Sequence, residues 1–256
     1  MLVYLTIEEG FFMRNFNESG QYILIDKKDE LNNLQMFKNS QYGANSTIYN
    51  YKNNELLKVF NTHYRIVQLN ILENLSSLST KSLLKIYKFL FINEQFYGYS
   101  MPKIKGSMLA YLDSNINLKD FLKSLTPVQE DLILLGNNNL SADDLNALNI
   151  IYNREENKTT LIDLESYGLC TNETKEEIVQ SNCISLYFLI LRIISENYNV
   201  YASSNKIIKE MCNKIININE IYDTPYNFYI KYINDLENKY NNPINTIKDL
   251  RKILKK

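Results

Sequence analysis

The hydrophobic pattern of this chain changes its period part-way along, and that change restricts the folds it can adopt more than any other feature. Alternating apolar and polar residues, typical of strands, run through 41–51 and 55–60 and again through 83–93 and 95–104. Helical spacing covers 62–78 between these two strand pairs. It returns after residue 117, interrupted by two short strands at 149–152 and 160–164. The pattern predicts an α+β fold of two unlike lobes with a cleft between them.

The second half of the chain is predicted to be mainly helical. The expected helices are 117–125, 127–135, 181–196, 204–216, 226–240 and 245–254. We divide the chain into an N-terminal extension (1–40) that packs on the first lobe, a first lobe (41–104) and a second lobe (105–256). The first lobe is expected to be an antiparallel sheet with one helix.

Composition excludes two classes of partner. The chain has 28 basic and 29 acidic residues, so there is no electrostatic basis for binding nucleic acid or an anionic membrane surface. The longest apolar run, 184–194, contains Arg192 and is shorter than the ~18–20 residues that cross a bilayer. The N-terminus lacks the features of a signal peptide, and the three cysteines are widely spaced. We therefore expect a cytoplasmic protein with reduced thiols and no membrane contact.

A single histidine, His63, limits the chemistry that the chain can perform. Histidine-rich zinc sites and HExxH metalloproteases need more than one histidine. A Ser-His-Asp arrangement would have to use His63, and no nucleophile-elbow motif accompanies it. Carboxylates, lysine and a hard metal ion are the expected tools of catalysis.

Three polar residues are predicted to meet at one edge of the short hairpin in the second lobe. Asp144 and Asn149 lie on the loop before its first strand, and Asp163 ends its second strand. Asp163 lies among Leu161, Ile162 and Leu164, where an acid is costly to bury without a partner or a metal. In-line phosphoryl transfer from ATP needs a carboxylate at the attacking hydroxyl, two oxygen ligands for Mg²⁺ and a lysine at the phosphates. The pattern supplies the first two requirements at one place.

At these residues the chain resembles the protein-kinase-like superfamily, with some features of choline and aminoglycoside kinases. The family's catalytic loop has H-R-D followed by an Asn five residues after the Asp, and its metal motif is D-F-G. Here the loop reads Ala142-Asp143-Asp144-Leu145 with Asn149 five residues after Asp144, and the metal motif reads Asp163-Leu164-Glu165. The resemblance covers about 41–191 and implies a bilobal bacterial Ser/Thr-kinase-like protein. It implies that Asp144 orients the acceptor hydroxyl and that Asn149 and Asp163 hold Mg²⁺.

The resemblance also implies phosphate contacts in the first lobe. The segment 41–48 stands where the family has its Gly-rich loop and contributes Gly43 and Ser46. Lys58 stands where the family has the lysine that reaches the α- and β-phosphates. Glu73 is its expected ion-pair partner, on a helical stripe with Ile66 and Leu69. Without the resemblance, Lys58 would be read as an exposed strand lysine and Glu73 as a solvated helix residue.

Residues 99–106 resemble the hinge between the lobes, where adenine binds to the backbone. Pro102 lacks an N–H but keeps the carbonyl that accepts from adenine, and Ile104 keeps its amide. The resemblance implies that Ile48 and Leu56 form the apolar roof over adenine and that Ile151 forms the floor.

Several departures from the family pattern bear on the acceptor. Ala142 and Asp143 replace the family's His and Arg, and the latter change removes the usual partner of a phosphorylated activation loop. Glu165 replaces the glycine of D-F-G, as in choline kinases, and only a short segment follows it before the next helix. The region between Pro102 and Asp144 leaves little room for the insertion of small-molecule kinases.

The expected function is ATP- and Mg²⁺-dependent transfer of phosphate to a hydroxyl, with a protein Ser/Thr as the favoured acceptor. Two alternatives stay open: a kinase for a small alcohol or an antibiotic, and a pseudokinase that binds a nucleotide or a partner protein without turnover. The intact Lys58, Asp144, Asn149 and Asp163 argue for an enzyme, and the degraded Gly-rich loop argues for a pseudokinase.

Overall fold

The computed structural model describes residues 17–37, 45–61, 69–217 and 223–255, and these residues form two compact units. The first contains the described residues before 62 together with Lys85–Lys103. The second contains the described residues from 69 to 84 and from Ile104 onward. The predicted α+β class is confirmed.

A six-stranded mixed sheet forms the first unit. Its strands are β1 (Asn17–Ser19), β2 (Tyr22–Ile25), β3 (Ser46–Lys52), β4 (Glu55–Phe60), β5 (Lys88–Ile92) and β6 (Gln95–Pro102), in the order β1-β2-β5-β6-β4-β3. Both predicted hairpins are present, and their turns use Asn54, Asn93 and Glu94 in the left-handed conformation. Asn tolerates that conformation better than most residues.

The expectation of a purely antiparallel sheet is wrong, because β2 pairs with β5 in parallel. The N-terminal extension supplies β2, which occupies the edge of β5 that β6 leaves open. The pairing buries Ile23 and Ile25 almost completely. They join the hydrophobic core of this unit, whose other buried members are Leu31, Leu57, Val59, Leu90 and Ile92.

The second unit is mainly helical. Its helices are α1 (Leu69–Ser77), α2 (Leu118–Ser124), α3 (Thr126–Asn137), α4 (Lys175–Ser195), α5 (Lys206–Ile216), α6 (Pro225–Tyr240) and α7 (Ile247–Leu254). Its short strands are β7 (Ser107–Met108), β8 (Leu140–Ser141), β9 (Ile150–Asn153), β10 (Lys158–Leu161) and β11 (Gly168–Leu169). Strands β10, β9 and β7 form one sheet, and β11 pairs with β8. The helix expected in the first lobe therefore belongs, over its described part, to the second unit.

Helix α4 is the centre of the second unit. It packs along α3 and also contacts α5 and α7. Gly136 of α3 permits this close approach, since a Cβ there would lie 2.5 Å from Val179 Cγ2 and 2.7 Å from the Val179 amide nitrogen. Among the described residues, α4 alone is long and apolar enough to cross a membrane, and most of that stretch is buried in the protein. Such burial is expected for a core helix of a soluble domain.

Helix α4 begins earlier than predicted, at Lys175. Thr174 and Glu177 form a capping box there, in which each side chain satisfies a backbone N–H of the first turn. The segment between Glu165 and α4 is consequently limited to residues 166–174. Cys183 and Cys212 are buried and Cys170 is half-buried, and all three are free thiols.

Candidate functional site

Asp144 lies on an exposed loop between β8 and β9, and two asparagine side chains hold its carboxylate. Asn149 Nδ2 donates to Asp144 Oδ2 at 2.9 Å and to the Asp144 carbonyl at 3.0 Å. Asn146 Nδ2 donates to Asp144 Oδ1 at 2.7 Å. This loop is not the N-terminus of a helix. Both oxygens of the Asp144 carboxylate are thereby oriented while the group stays open to solvent.

The backbone brings Asp163 beside Asn149. The Ile162 amide donates to the Asn149 carbonyl at 2.9 Å, so the residue after Ile162 lies at the edge of the hairpin that carries Asn149. Asp163 is half-buried and has φ 66° and ψ 44°, in the left-handed region. For a non-glycine residue this conformation costs roughly 1–3 kcal/mol and persists only where surrounding structure enforces it. The predicted proximity of Asp144, Asn149 and the Asp163 backbone is therefore present.

The turn after Asp163 is short and well anchored. Ser166 donates its backbone N–H and its hydroxyl to the Asp163 carbonyl, at 3.3 and 2.9 Å. Helix α1 packs against the turn Leu164–Ser166. These contacts help to hold Asp163 in its left-handed conformation.

Asp143 is directed away from this group. Its Oδ2 would lie 2.6 Å from a Cβ built on Gly168, so the side chain covers β11 rather than the Asn149 side of the loop. The two adjacent acids therefore have different surroundings. A side chain at residue 168 would collide with the Asp143 carboxylate.

Tyr167 was not anticipated and lies close to the acids. The side chain is buried, and burial raises its pKa. The negative charges of Asp131, Asp163 and Asp144 raise the pKa of Tyr167 further. Its hydroxyl therefore stays protonated at neutral pH. The position four residues after Asp163 carries no sequence signal that would have identified it.

Two buried polar residues position the segments that carry the site. Asn182 of α4 accepts from the Ala142 amide at 3.0 Å and donates to the carbonyls of Leu132 and Leu140 at 3.2 and 3.1 Å. It joins α3, α4 and the start of the Asp144 loop. A single amide inside the apolar face of α4 was the available sequence signal for this role.

Asp131 of α3 likewise anchors a segment, in this case the one that pairs with the strand leading to Asp163. Its carboxylate accepts from the backbone N–H groups of Lys81, Ser82 and Leu83, the shortest contact being 2.5 Å to Ser82. Burial raises the pKa of Asp131, and the three backbone hydrogen bonds oppose that effect. The segment so held pairs with Leu161, the last residue of β10, two positions before Asp163.

In the first unit, Lys58 is buried, with 5% of its surface exposed. The alternative of an exposed strand lysine is therefore wrong. Ile48 lies opposite Lys58 in the sheet register and Leu56 precedes it by two residues, so the three share one face of the sheet. Leu57 and Val59 occupy the opposite face, in the hydrophobic core. The predicted adenine roof and the phosphate lysine thus lie on one surface.

The other predicted ATP contacts fall in several places. Ser46 is buried on β3, and Pro102 is half-buried at the end of β6. Ile104 and Ile151 are half-buried residues of the second unit. Gly43 lies outside the described residues.

The expectation that Glu73 lies on the inward-facing stripe of its helix is wrong. Helix α1 buries Ile71, Leu72 and Leu75, and at 3.6 residues per turn Glu73 points about 150° away from the centre of that face. It is exposed, and no ion pair within the described part of the chain involves it. The apolar stripe of α1 is therefore rotated relative to the stripe inferred from the sequence.

The donor atoms available for a metal ion are hard oxygens. No cluster of three or more His, Cys, Asp or Glu capable of holding a metal occurs in the described ranges. Asn149 uses its Nδ2 as a donor to Asp144, which leaves its Oδ1 as an oxygen ligand. The Asp163 carboxylate would be the second protein ligand. Mg²⁺ is commonly held by one or two carboxylates together with water and substrate phosphates, so this donor set fits it.

No protein-family model and no curated protein matches this chain.

Proposed function

We propose that this chain is a kinase-like phosphotransferase that uses Mg²⁺ and ATP to phosphorylate a hydroxyl group. The observation that carries the proposal is the group formed by Asp144, Asn149 and the left-handed Asp163. A solvent-open carboxylate is oriented by two amides, and the backbone of Asp163 lies at the same edge of the hairpin as Asn149, the other proposed magnesium ligand. The buried Lys58 of β4 supports the proposal, because it shares one face of the sheet with Ile48 and Leu56, the residues expected to cover adenine.

In this proposal Asp144 orients the acceptor hydroxyl and takes its proton as the hydroxyl oxygen attacks the γ-phosphorus. The bond from that phosphorus to the bridging oxygen breaks, and ADP leaves. Asn149 and Asp163 would hold Mg²⁺, which neutralises phosphate charge when bound. Asn146 and Asn149 keep the carboxylate of Asp144 in one orientation, so little reorganisation accompanies the reaction.

The acceptor is either a protein Ser/Thr, as the sequence favours, or a small alcohol. Two observations support the small alcohol. The segment 166–174 is too short for the peptide-docking activation segment that the family resemblance would require. A cavity of ≈ 470 Å³ also borders the Asp144 loop.

The adjacent acids permit a direct test. Asp144→Asn should reduce phosphoryl transfer by about 10²–10⁴-fold, because it removes the orienting base, while Mg·ATP still binds. Asp143→Asn is the matched control and should stay active. The measurement is transfer of label from ATP to protein and to small molecules in a cell lysate, with nucleotide affinity measured in parallel.

The reverse result would contradict the assignment. If Asp143 is essential and Asp144 is dispensable, the motif has been aligned one residue out of place. Nucleotide binding without transfer by the wild-type chain would favour the pseudokinase alternative.

A further inference from the structure

The cavity beside the Asp144 loop has a composition of its own. One part of its wall is the loop Asn146–Leu148, and another is the C-terminal end of α4 with Arg251 of α7. Leu109, Leu112 and Leu189 make much of the remainder apolar. Asn146 links the cavity to the proposed catalytic group, since it lines the cavity and donates to Asp144 Oδ1 at 2.7 Å.

Two of the chain's five arginines line this cavity, and they differ in their partners. Arg251 is engaged: Nη2 donates to the Ile193 carbonyl at 2.7 Å, and Nη1 lies 3.4 Å from Glu196. Lys255 also pairs with Glu196, at 3.2 Å. Glu196, the acidic residue that lines the cavity, therefore already has two cationic partners. The charge of Arg192 is therefore not neutralised by Glu196.

Arg192 has no hydrogen-bonded or ion-paired partner among the residues that the structure describes, and its Nε is buried. The side chain as a whole is half-buried, and a buried N–H without a hydrogen-bond partner is unfavourable because it loses water and gains nothing in exchange. The planar guanidinium matches carboxylate and phosphate groups, which can accept two parallel hydrogen bonds from it. A carboxylate or phosphate group would satisfy the unpaired Nε of Arg192.

The size and lining of the cavity indicate the size and polarity of the rest of the ligand. A volume of ≈ 470 Å³ lies in the range of small-molecule sites, which are mostly apolar with a few polar groups that fix orientation. Leu148 and Tyr198, which also line it, are exposed and add apolar surface. We propose that this cavity binds the acceptor of the reaction, a small alcohol with an apolar body and a carboxylate or phosphate group that pairs with Arg192. This inference rests on the proposed function.

The test measures binding without ATP, so that it does not depend on turnover. The fluorescent probe 8-anilinonaphthalene-1-sulfonate, an apolar anion, is bound to the full chain and displaced by 4-(hydroxymethyl)benzoate, by 4-(hydroxymethyl)phenyl phosphate or by the neutral 1,4-benzenedimethanol. At least one charged alcohol should displace the probe at a concentration about tenfold or more below that of the neutral one, since charge-assisted hydrogen bonds to Arg are strong. The two charged compounds distinguish a carboxylate site from a phosphate site.

Substitutions of Arg192 test whether this residue binds the anionic group of the ligand. Arg192→Gln should weaken binding of the preferred anion by about tenfold or more and leave the neutral compound unchanged, whereas Arg192→Lys should retain part of the preference. Arg154→Gln, in the exposed turn between β9 and β10, is the matched control and should bind as the wild type does. Thermal unfolding of each variant verifies that the fold is retained.

Equal displacement by charged and neutral alcohols in the wild type would overturn the inference. An Arg192→Gln variant that binds the anions normally would also overturn it. The proposed function fails on a separate result, the absence of Asp144-dependent transfer from Mg·ATP. If ligand binding depends on Arg192 but no such transfer occurs, the proposed ligand site is supported and the proposed phosphotransferase activity is rejected.

Discussion

At the scale of single residues, the left-handed conformation of Asp163 distinguishes it from an ordinary acid at the end of a strand. Asn54, Asn93, Asn139 and Asn157 take the same conformation in turns, where asparagine tolerates it. Asp163 instead follows a buried strand and is held by backbone contacts on both sides. Its strain is therefore imposed by the surrounding structure, and a required position of its carboxylate would explain why it is kept.

Two substitutions distinguish the effect of the backbone conformation of Asp163 from the effect of its carboxylate. Asp163→Ala and Asp163→Gly both remove the carboxylate, so both should abolish Mg²⁺-dependent binding of nucleotide. Glycine adopts the left-handed conformation without a Cβ clash, so Asp163→Gly should be more stable than Asp163→Ala by about 1 kcal/mol. Urea unfolding gives the stability, and calorimetric titration with ATP in the presence and absence of Mg²⁺ gives the binding.

The control is Asn93→Gly, which changes another left-handed residue in an exposed turn of the first unit. It should leave nucleotide binding intact. A nucleotide affinity that does not depend on Mg²⁺ in the wild type, or that survives in Asp163→Ala, would contradict the assignment of Asp163 as a metal ligand.

At the scale of secondary-structure elements, most of what the sequence predicts is local. The period of the apolar residues located both hairpins of the first unit, the β9–β10 hairpin and all of the C-terminal helices, since each element buries one side of its own segment. The early start of α4 was missed because its first turn is polar, although Thr174-x-x-Glu177 is a recognisable capping box.

What the sequence does not predict depends on partners far along the chain. The parallel pairing of β2 with β5 joins Tyr22 to Phe89 and has no local signal. The rotation of α1, which exposes Glu73, depends on which neighbours its apolar residues meet. The group of Asp144 and Asn149 could be predicted because spacing along one short loop defines it, whereas Tyr167 and Arg192 are recognised only through tertiary contacts.

Asn182 shows how one element positions the proposed site, and its replacement is testable. Asn182→Leu would leave the Ala142 amide and the carbonyls of Leu132 and Leu140 without their buried partner. Each orphaned group costs about 1–3 kcal/mol, so the free energy of unfolding should fall by about 2–5 kcal/mol. Phosphoryl transfer should also fall in the remaining folded protein, because the loop that carries Asp144 loses an anchor.

Ser181→Ala is the control on the same helix, since Ser181 is exposed. Urea unfolding and transfer assays at a temperature where each variant is folded measure the two effects. Full stability in Asn182→Leu would show that α4 does not hold this loop through its amide.

At the scale of the whole molecule, one acid of the first unit ties its N-terminal strand to two further strands, in addition to the pairing of β1 with β2. Glu18 of β1 accepts from Lys52 at 2.5 Å, from Lys88 at 2.6 Å and from the Tyr51 hydroxyl. These partners belong to β3 and β5, so one carboxylate ties three strands together. Burial by itself raises the pKa of Glu18, but hydrogen bonds from the two lysines and the tyrosine lower it to about 2.

This pKa predicts how the stability of the first unit changes with pH. The ordinary pKa of Glu18 is 4.5, and the folded value is lower, so the folded state favours the charged form. The stabilisation is therefore complete above about pH 4.5 and is lost as the pH falls through 4.5 toward 2. After allowance for solvent screening of a carboxylate that is 23% exposed, we expect the ion pairs to contribute about 1–2 kcal/mol at neutral pH.

Glu18→Gln should therefore lower stability at pH 7 and have little effect at pH 2, because most of the stabilisation by the wild-type carboxylate has already been lost there. Hydrogen exchange followed by mass spectrometry, on peptides that cover β2 and β5, measures this in the first unit without a contribution from the second. Glu94→Gln removes a carboxylate from an exposed turn of the same unit and leaves the group around Glu18 intact. If Glu18→Gln lost as much protection at pH 2 as at pH 7, packing of the side chain rather than its charge would join β1 to the sheet.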